Sequence, residues 1–332
     1  MHLYIFVRHF LLIIYVFSFL SCSEQIKKSN QYSDEVVLKV LGTIQDGGIP
    51  HMGCSKECCT NYFENKSIRI GVSSIGISNF KYETNYIVDA TPDVNFQLQA
   101  LIGNTNPSEK LDGIFLTHAH MGHYAGLLNF GRESLNSNNI PVYLMPKFFD
   151  FISNNGPWDQ LVSLNNIKLQ RIFNNEKVIL HNNLSFTPIL VPHRDEYSET
   201  VGWVVSDGAN FSFLYLPDID RWDADLSKGE ESAVASLVRK VGLAFVDATF
   251  WDDNELPGRD MSKIPHPRVT QTMDLLQHLP ASERAKVHSI HYNHTNPIRD
   301  PETAESAEVK ERGFNVARRG DSMCLLDDAK TD

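Results

Sequence analysis

Apolar residues fall into short runs, separated by polar and Gly/Pro-rich stretches. Val36–Leu41 (VVLKVL) is β-branched and predicts a first strand. Runs at Ile68–Ile77, Asn85–Ala90, Ile114–Thr117, Val142–Met145, Ser185–Val191, Val201–Val205, Phe211–Leu216 and Leu243–Val246 predict further strands. Val94–Ile102 follows Pro92 and Asp93 and predicts a helix, as do Val269–His278 and Ala304–Arg312. Gly42 to Thr60 reads as a long Gly/Pro loop. No repeat, low-complexity tract or linker divides residues 36–327, so the pattern predicts one mixed α/β domain.

The first 22 residues stand outside this pattern. Arg8 precedes an uncharged apolar run, Phe10 to Leu20, that is too short to span a bilayer and fits the h-region of a signal peptide. Ser21-Cys22 follows at once and resembles a bacterial lipoprotein cleavage site, with Cys22 as the lipidated N-terminus. Residues 23–35 are polar and read as a tether. The expectation is a cell-envelope protein that meets the membrane only through its N-terminal lipid. A secreted protein or an N-terminal anchor is the alternative.

Composition narrows the function. In 332 residues, 42 % are apolar and 21 % charged, which excludes disorder for the bulk of the chain. The net charge of −11, with no long basic run, argues against nucleic acid as a partner but names no substrate; the expected partner is a small-molecule substrate. Five cysteines is an odd count, so a fully paired disulfide framework is excluded.

The histidines carry the chemistry. In Ile114-Phe-Leu-Thr-His-Ala-His-Met-Gly-His123 an apolar strand delivers His118, His120 and His123 into one loop. Two histidines two apart at a strand end point into the same space, and the third closes over it from the start of a helix. Neutral imidazole is a favoured ligand for zinc and other transition metals.

This stretch resembles the H-x-H-x-D-H motif of the metallo-β-lactamase fold, which implies an αββα sandwich over residues 36–327. The resemblance implies further ligands at later strand ends: His193 after Ile189–Pro192, Asp218 after Phe213–Pro217, and His291 after Val287–Ile290. His118, His120 and His193 would hold one metal. His123 and His291 would hold a second, with Asp218 bridging. The motif's Asp is Gly122 here, and Asp89 and Asp93 are the expected substitutes. Asp247–Glu255, His291–Ile298 and Gly42–Cys54 resemble the pyrroloquinoline quinone biosynthesis protein B branch of the superfamily. The implied activity is metal-dependent hydrolysis, a metal-bound hydroxide attacking an ester or phosphodiester, with Zn2+ or alternatively iron or manganese. Asp218 would accept a proton, and His266, at a position shared with that branch, would face substrate. The alternatives are an oxidoreductase of quinone-cofactor biosynthesis using iron and oxygen, and a non-catalytic metabolite carrier suggested by Gly122.

Cys54, Cys58 and Cys59 lie close together, and the adjacent pair does not readily form a disulfide. Three thiolates need one more ligand for tetrahedral zinc. In the related carbon-phosphorus lyase phosphodiesterase branch, a His three residues beyond the last active-site His completes such a set, which implies His294 here. A disulfide from Cys54, or free thiols, are the alternatives. Cys324, within Met323–Leu326, reads as core. Arg194 and Asp195 are expected to orient His193 or bind substrate. Arg132–Glu133 and Arg259–Asp260 are expected ion pairs, and His51, His181, His278 and His288 read as structural.

Overall fold

A strand covered on both faces buries successive residues, and the central strands do so. In a computed structural model of the chain, the residues described are 36–64, 69–180, 183–208, 211–222 and 232–325. The leader, the tether, Cys22 and His181 lie outside them. Among the described residues no helix is long and apolar enough to cross a membrane.

The first sheet contains β1 (Val36–Gly42), β2 (Ser74–Asn79), β3 (Thr84–Val88), β4 (Gly113–Phe115), β5 (Ile140–Leu144), β6 (Ile167–Arg171) and β14 (Ser322–Leu325). Its order is β14-β1-β2-β3-β4-β5-β6, antiparallel as far as β3 and parallel beyond it. The second contains β7 (Val178–Ile179), β8 (Ser185–Leu190), β9 (Val201–Ser206), β10 (Ser212–Leu216), β11 (Leu243–Asp247), β12 (Val287–Ile290) and β13 (Asn315–Val316), in sequential order. There β10 to β13 run parallel.

The inner faces meet in one core: Leu38, Val40, Ile75, Ile77 and Phe115 from one sheet, and Phe186, Trp203, Val205, Phe213 and Phe245 from the other. Phe115 and Phe186 stack with centroids 3.7 Å apart across this layer. The outer faces take helices. Ile87, Ile114 and Val142 pack against α2 (Val94–Ile102) and α3 (Pro146–Asn154). Leu214, Ala244 and Val246 pack against α4 (Ala233–Arg239), α5 (Val269–Leu276) and α6 (Ala304–Glu311). The result is the expected αββα sandwich, a single domain.

Three readings need correction. Ile68–Ile77 is not one strand, because the chain turns at Gly71 (φ 78°), whose carbonyl accepts from Thr43 N and Ile44 N, and β2 begins only at Ser74. The Gly42–Thr60 loop ends in a helix, α1 (Glu57–Glu64), which buries Cys59. Cys324 is half-buried on β14 rather than fully buried in the core.

Candidate metal centre

The carboxyl ends of β3 and β4 in one sheet, and of β8, β10, β11 and β12 in the other, come together at one edge of the sandwich. Parallel strands deliver residues far apart in sequence to the same place. Asp89 follows β3 and His118 and His120 follow β4, while His193, Asp218 and His291 follow β8, β10 and β12. The chain turns into a short helix after His120, where His123 N donates to His120 O at 2.9 Å, and this brings the third imidazole back over the first two.

The donors sort into two groups, each with ligand atoms within 4.8 Å of one another: His118, His120 and His193; and Asp46, His123, Asp218 and His291. In the first, His120 Nδ1 lies 2.9 Å from His118 Nε2 and 3.2 Å from His193 Nε2. Asp218 stands between the groups. Its Oδ1 is 3.7 Å from His193 Nε2, and its Oδ2 is 3.7, 2.9 and 3.2 Å from Nε2 of His118, His123 and His291. Despite these short approaches, the buried Oδ2 accepts no well-directed hydrogen bond. An orphaned carboxylate oxygen ringed by imidazole nitrogens fits a cation between them.

The ring nitrogens facing away from the centre support the same reading, because metal-bound histidines are oriented by an outer partner. His118 Nδ1 meets Thr117 Oγ1 at 3.0 Å, and His120 Nε2 meets Glu196 at 3.3 Å. His123 Nδ1 meets Asp89 at 2.7 Å, His193 Nδ1 meets Asp220 at 2.9 Å, and His291 Nδ1 meets Thr249 Oγ1 at 3.1 Å. Burial holds His118 well below the usual imidazole pKa and lowers His193 to about 3, so both are the neutral rings a metal requires. Burial opposes charge on Asp218 and Asp46, but the surrounding histidines outweigh it and hold both carboxyls well below their usual range. At His123 the converse holds: burial is outweighed by Asp89 and Asp46, which raise its pKa. Three carboxylates converging on one ring form a field suited to a cation.

All six expected ligands, His118, His120, His123, His193, Asp218 and His291, are therefore brought together. The expected substitutes for the motif carboxylate are not ligands. Asp89 sits behind His123 and accepts from Thr117 N and Oγ1 at 2.9 and 3.0 Å, and Asp93 accepts from Val72 N at 2.9 Å. The oxygen that does reach the second group belongs to Asp46, in the loop after β1, 3.0 Å from His123 Nε2 and 3.3 Å from His291 Nε2.

His266 stands beside the array. Its Nδ1 meets Asp247 at 2.8 Å and its Nε2 lies 3.4 Å from Nη2 of the exposed Arg194. Burial lowers its pKa, and the Asp247 carboxylate more than offsets this and raises it. Asp218, Asp247 and His266 also draw within 4.8 Å. Asp247, however, accepts from Ile219 N, Thr249 N and Thr249 Oγ1 besides, so it orients His266 rather than offering a free ligand oxygen. His266 has φ 98° and His291 φ 63°, conformations disfavoured for non-glycine residues and held here by the surrounding structure. Arg194 does reach the mouth. Asp195 does not orient His193, a role that falls to Asp220, and accepts instead from Thr200 Oγ1 at 2.8 Å.

The cysteine cluster forms as expected and without a disulfide among its members. Cys54, Cys58, Cys59 and His294 offer ligand atoms within 4.8 Å of one another, and the three thiols are free. Sγ of Cys58 lies 3.8 Å from that of Cys54 and 4.0 Å from that of Cys59. His294 Nδ1 meets Asn293 Oδ1 at 2.9 Å, which leaves Nε2 for a ligand, and burial lowers its pKa to about 4. Burial and the neighbouring Cys54 push the Cys58 thiol up to about 12, the penalty of gathering three thiols where no cation offsets them. His51 has the expected structural role: its ring stacks on that of His294 with centroids 4.2 Å apart, and its backbone N–H donates to Cys59 Sγ at 3.3 Å. Of the two expected ion pairs, Arg132–Glu133 forms at 2.9 Å, whereas Asp260 pairs with Lys263 at 3.2 Å.

Two sheets faced with helices and a His/Asp array at one edge define a metallo-β-lactamase fold. The chain belongs to this superfamily: the model of the beta-lactamase superfamily domain matches residues 84–292, well over half of the sequence. Within it the chain resembles the branch named for coenzyme PQQ synthesis protein B. It is 27 % identical to that protein of Pseudomonas fluorescens (strain Pf0-1), over 87 % of this chain and 99 % of the relative. To that of Pseudomonas syringae pv. tomato it is 28 % identical over the same shares. Among solved structures, Zn(2+)-bound PqqB from Methylobacterium extorquens superposes with a TM-score of 0.71 at 22 % identity, covering 86 % of this chain and 99 % of the other. A diphosphatase from the PhnP family superposes at 0.61 with 21 % identity, covering 88 % and 97 %. At these identities the two structures show the shared fold.

Proposed function

We propose that the protein is a metal-dependent hydrolase acting on an ester or phosphodiester. The observation that carries this is Asp218, buried between two donor groups with an oxygen no hydrogen bond satisfies. The three-imidazole group and the thiolate cluster suit zinc, and the carboxylate-richer group also suits iron or manganese. Ions held there supply a lowered water pKa and Lewis acidity toward the oxygen under attack.

The chain's own residues do the rest. Asp218 fixes the spacing of the two positions and offers a carboxylate to an incoming proton. His266, held at Nδ1 by Asp247, presents Nε2 beside Arg194 and is placed to give a proton to a leaving oxygen. The Arg194 guanidinium favours an anionic group on the substrate, which supports a phosphodiester over a neutral ester.

The test is turnover of bis(p-nitrophenyl) phosphate and p-nitrophenyl acetate by protein reconstituted with Zn2+ or Mn2+. Hydrolysis is expected, abolished by chelator and reduced about 100- to 1,000-fold by His118→Ala, on the scale of losing one group that stabilises transition-state charge. Fully loaded protein that turns over neither probe would sink the reading. A second reading rests on the similarity to coenzyme PQQ synthesis protein B over nearly that protein's whole length. It predicts oxygen consumption by iron-loaded and not by zinc-loaded protein. We further propose that residues 1–22 direct export with lipid attachment at Cys22, supported by the apolar run ending at Leu20. Cys22→Ser would then release the protein from the membrane fraction.

A further inference from the structure

Gly122 and Asp46 fit together as a pair. A Cβ built on Gly122 would lie 2.5 Å from Asp46 Oδ1, 2.6 Å from Asp46 Cα and 2.7 Å from Asp46 Cγ. No side chain fits at 122 while Asp46 is where it is. Conversely, the space beside His123 that a carboxylate at 122 would take is filled by one arriving from the loop after β1.

That loop is held on a defined path. Gln45 N donates to Tyr292 O at 3.1 Å, and Tyr292 N donates back to Thr43 O at 3.0 Å. Gln45 Nε2 donates to Asn293 Oδ1 at 3.3 Å, and Gly48 N closes a turn onto Gln45 O at 2.9 Å. Asp46 is thereby fixed against the segment that carries His291, and its Oδ1 stands within 3.3 Å of Nε2 of both His123 and His291.

We propose that Asp46 is the ligand that takes over from the motif carboxylate, and that glycine at 122 is the condition for it. The second metal position then keeps two imidazoles and two carboxylates, one of them drawn from a loop that the motif does not include. This rests on the metal-centre reading above but not on hydrolysis, because it is read from ions bound rather than from turnover.

The experiment counts Zn2+ per full-length chain by native mass spectrometry after reconstitution. It also records the d–d absorbance of the Co2+-substituted protein. Asp46→Asn, which is isosteric, is expected to lose one equivalent relative to the unsubstituted protein and the matching part of the cobalt absorbance. Gly122→Ala removes no donor atom, yet it is expected to lose the same equivalent, because its methyl displaces Asp46. Far-UV circular dichroism checks that both variants are folded. Asp46→Asn keeps the test decisive if Gly122→Ala does not fold. Unchanged stoichiometry and spectrum in Asp46→Asn would overturn the ligand role. A folded Gly122→Ala with full stoichiometry would overturn the coupling between the two residues. Loaded protein without turnover would sink the hydrolase reading and leave this one standing.

Discussion

The His/Asp array and the cysteine cluster are both groups of metal-type donors, but they are built in opposite ways. The array hangs from the ends of strands whose neighbours are packed on both faces. Each of its imidazoles is braced from behind by an oxygen of Thr117, Glu196, Asp89, Asp220 or Thr249. The cysteine cluster sits on a loop and one helical turn, and only Cys59 of its members is fully buried. Its neighbours are the cluster's own sulfurs and the stacked rings of His51 and His294. A site preorganised by its scaffold can trade metals and stay shaped. A site organised mainly by its own ligands depends on the ion for its structure. The cluster therefore reads as a clasp between two loops, and the array as the place where chemistry is done.

The sharpest break in this comparison comes from removing one thiol. Cys58→Ser should lose one zinc equivalent and lower thermal stability while the array keeps its ions. An ion present at a thousand times its Kd stabilises by about 4 kcal/mol, and for a domain of this size that is a fall in Tm of roughly 5–10 °C. Scanning calorimetry with and without added zinc measures it. A melting curve identical to that of the unsubstituted protein would show that the cluster is no clasp.

The complementary test acts on the array. Asp220→Asn removes the charge behind His193 without touching a ligand atom. Losing such a partner weakens metal affinity by about 10–100-fold. Competition with a chromophoric chelator should show this loss at one equivalent only, with Tm nearly unchanged once metal is in excess. An affinity equal to that of the unsubstituted protein would mean that packing alone orients the ring.

The sequence made much of this legible, for a definite reason. His118, His120, His193, Asp218 and His291 follow apolar strands and His123 lies in the short helix just after His120, and strand ends are readable from hydrophobic runs. Cys54, Cys58, Cys59 and His294 are readable from residue type and spacing. What was missed lies in irregular segments. Asp46 belongs to a loop whose path is set by hydrogen bonds to residues 292 and 293, and no local pattern encodes that contact. The one signal was Gly122 itself: a missing carboxylate in an otherwise complete set calls for an acid from elsewhere, and the Gly-rich loop holds one. Asp89 lies close to the array, but its position after β3 puts it behind His123 rather than in front. The oxygens of Asp220, Thr249 and Glu196 have no signature beyond lying close to the site. The short edge strands β6, β7 and β13 carry too few apolar residues to announce themselves.

The smallest effect tests what the two regions share. His291 of the array and His294 of the cluster lie on one segment, and Glu255 grips it. Its Oε1 accepts from Thr295 Oγ1 at 2.6 Å and Asn293 Nδ2 at 3.3 Å, while its Oε2 accepts from Trp251 N at 2.6 Å. Burial outweighs these donors and raises the Glu255 pKa from 4.5 to about 7. The folded protein therefore binds a proton here over a range in which the unfolded chain has released it. Stability from this group is greatest below the unfolded value, declines as pH rises between the two, and is at its lowest above the folded value. Glu255→Gln keeps the shape and removes the titration. Relative to the unsubstituted protein it should gain on the order of 1–3 kcal/mol between pH 5 and pH 8, measured by urea unfolding at both. A stability difference independent of pH would mean that the three donors fully compensate the buried charge. The clasp and the array would then be joined by a hydrogen-bonded carboxylate that costs nothing to ionise.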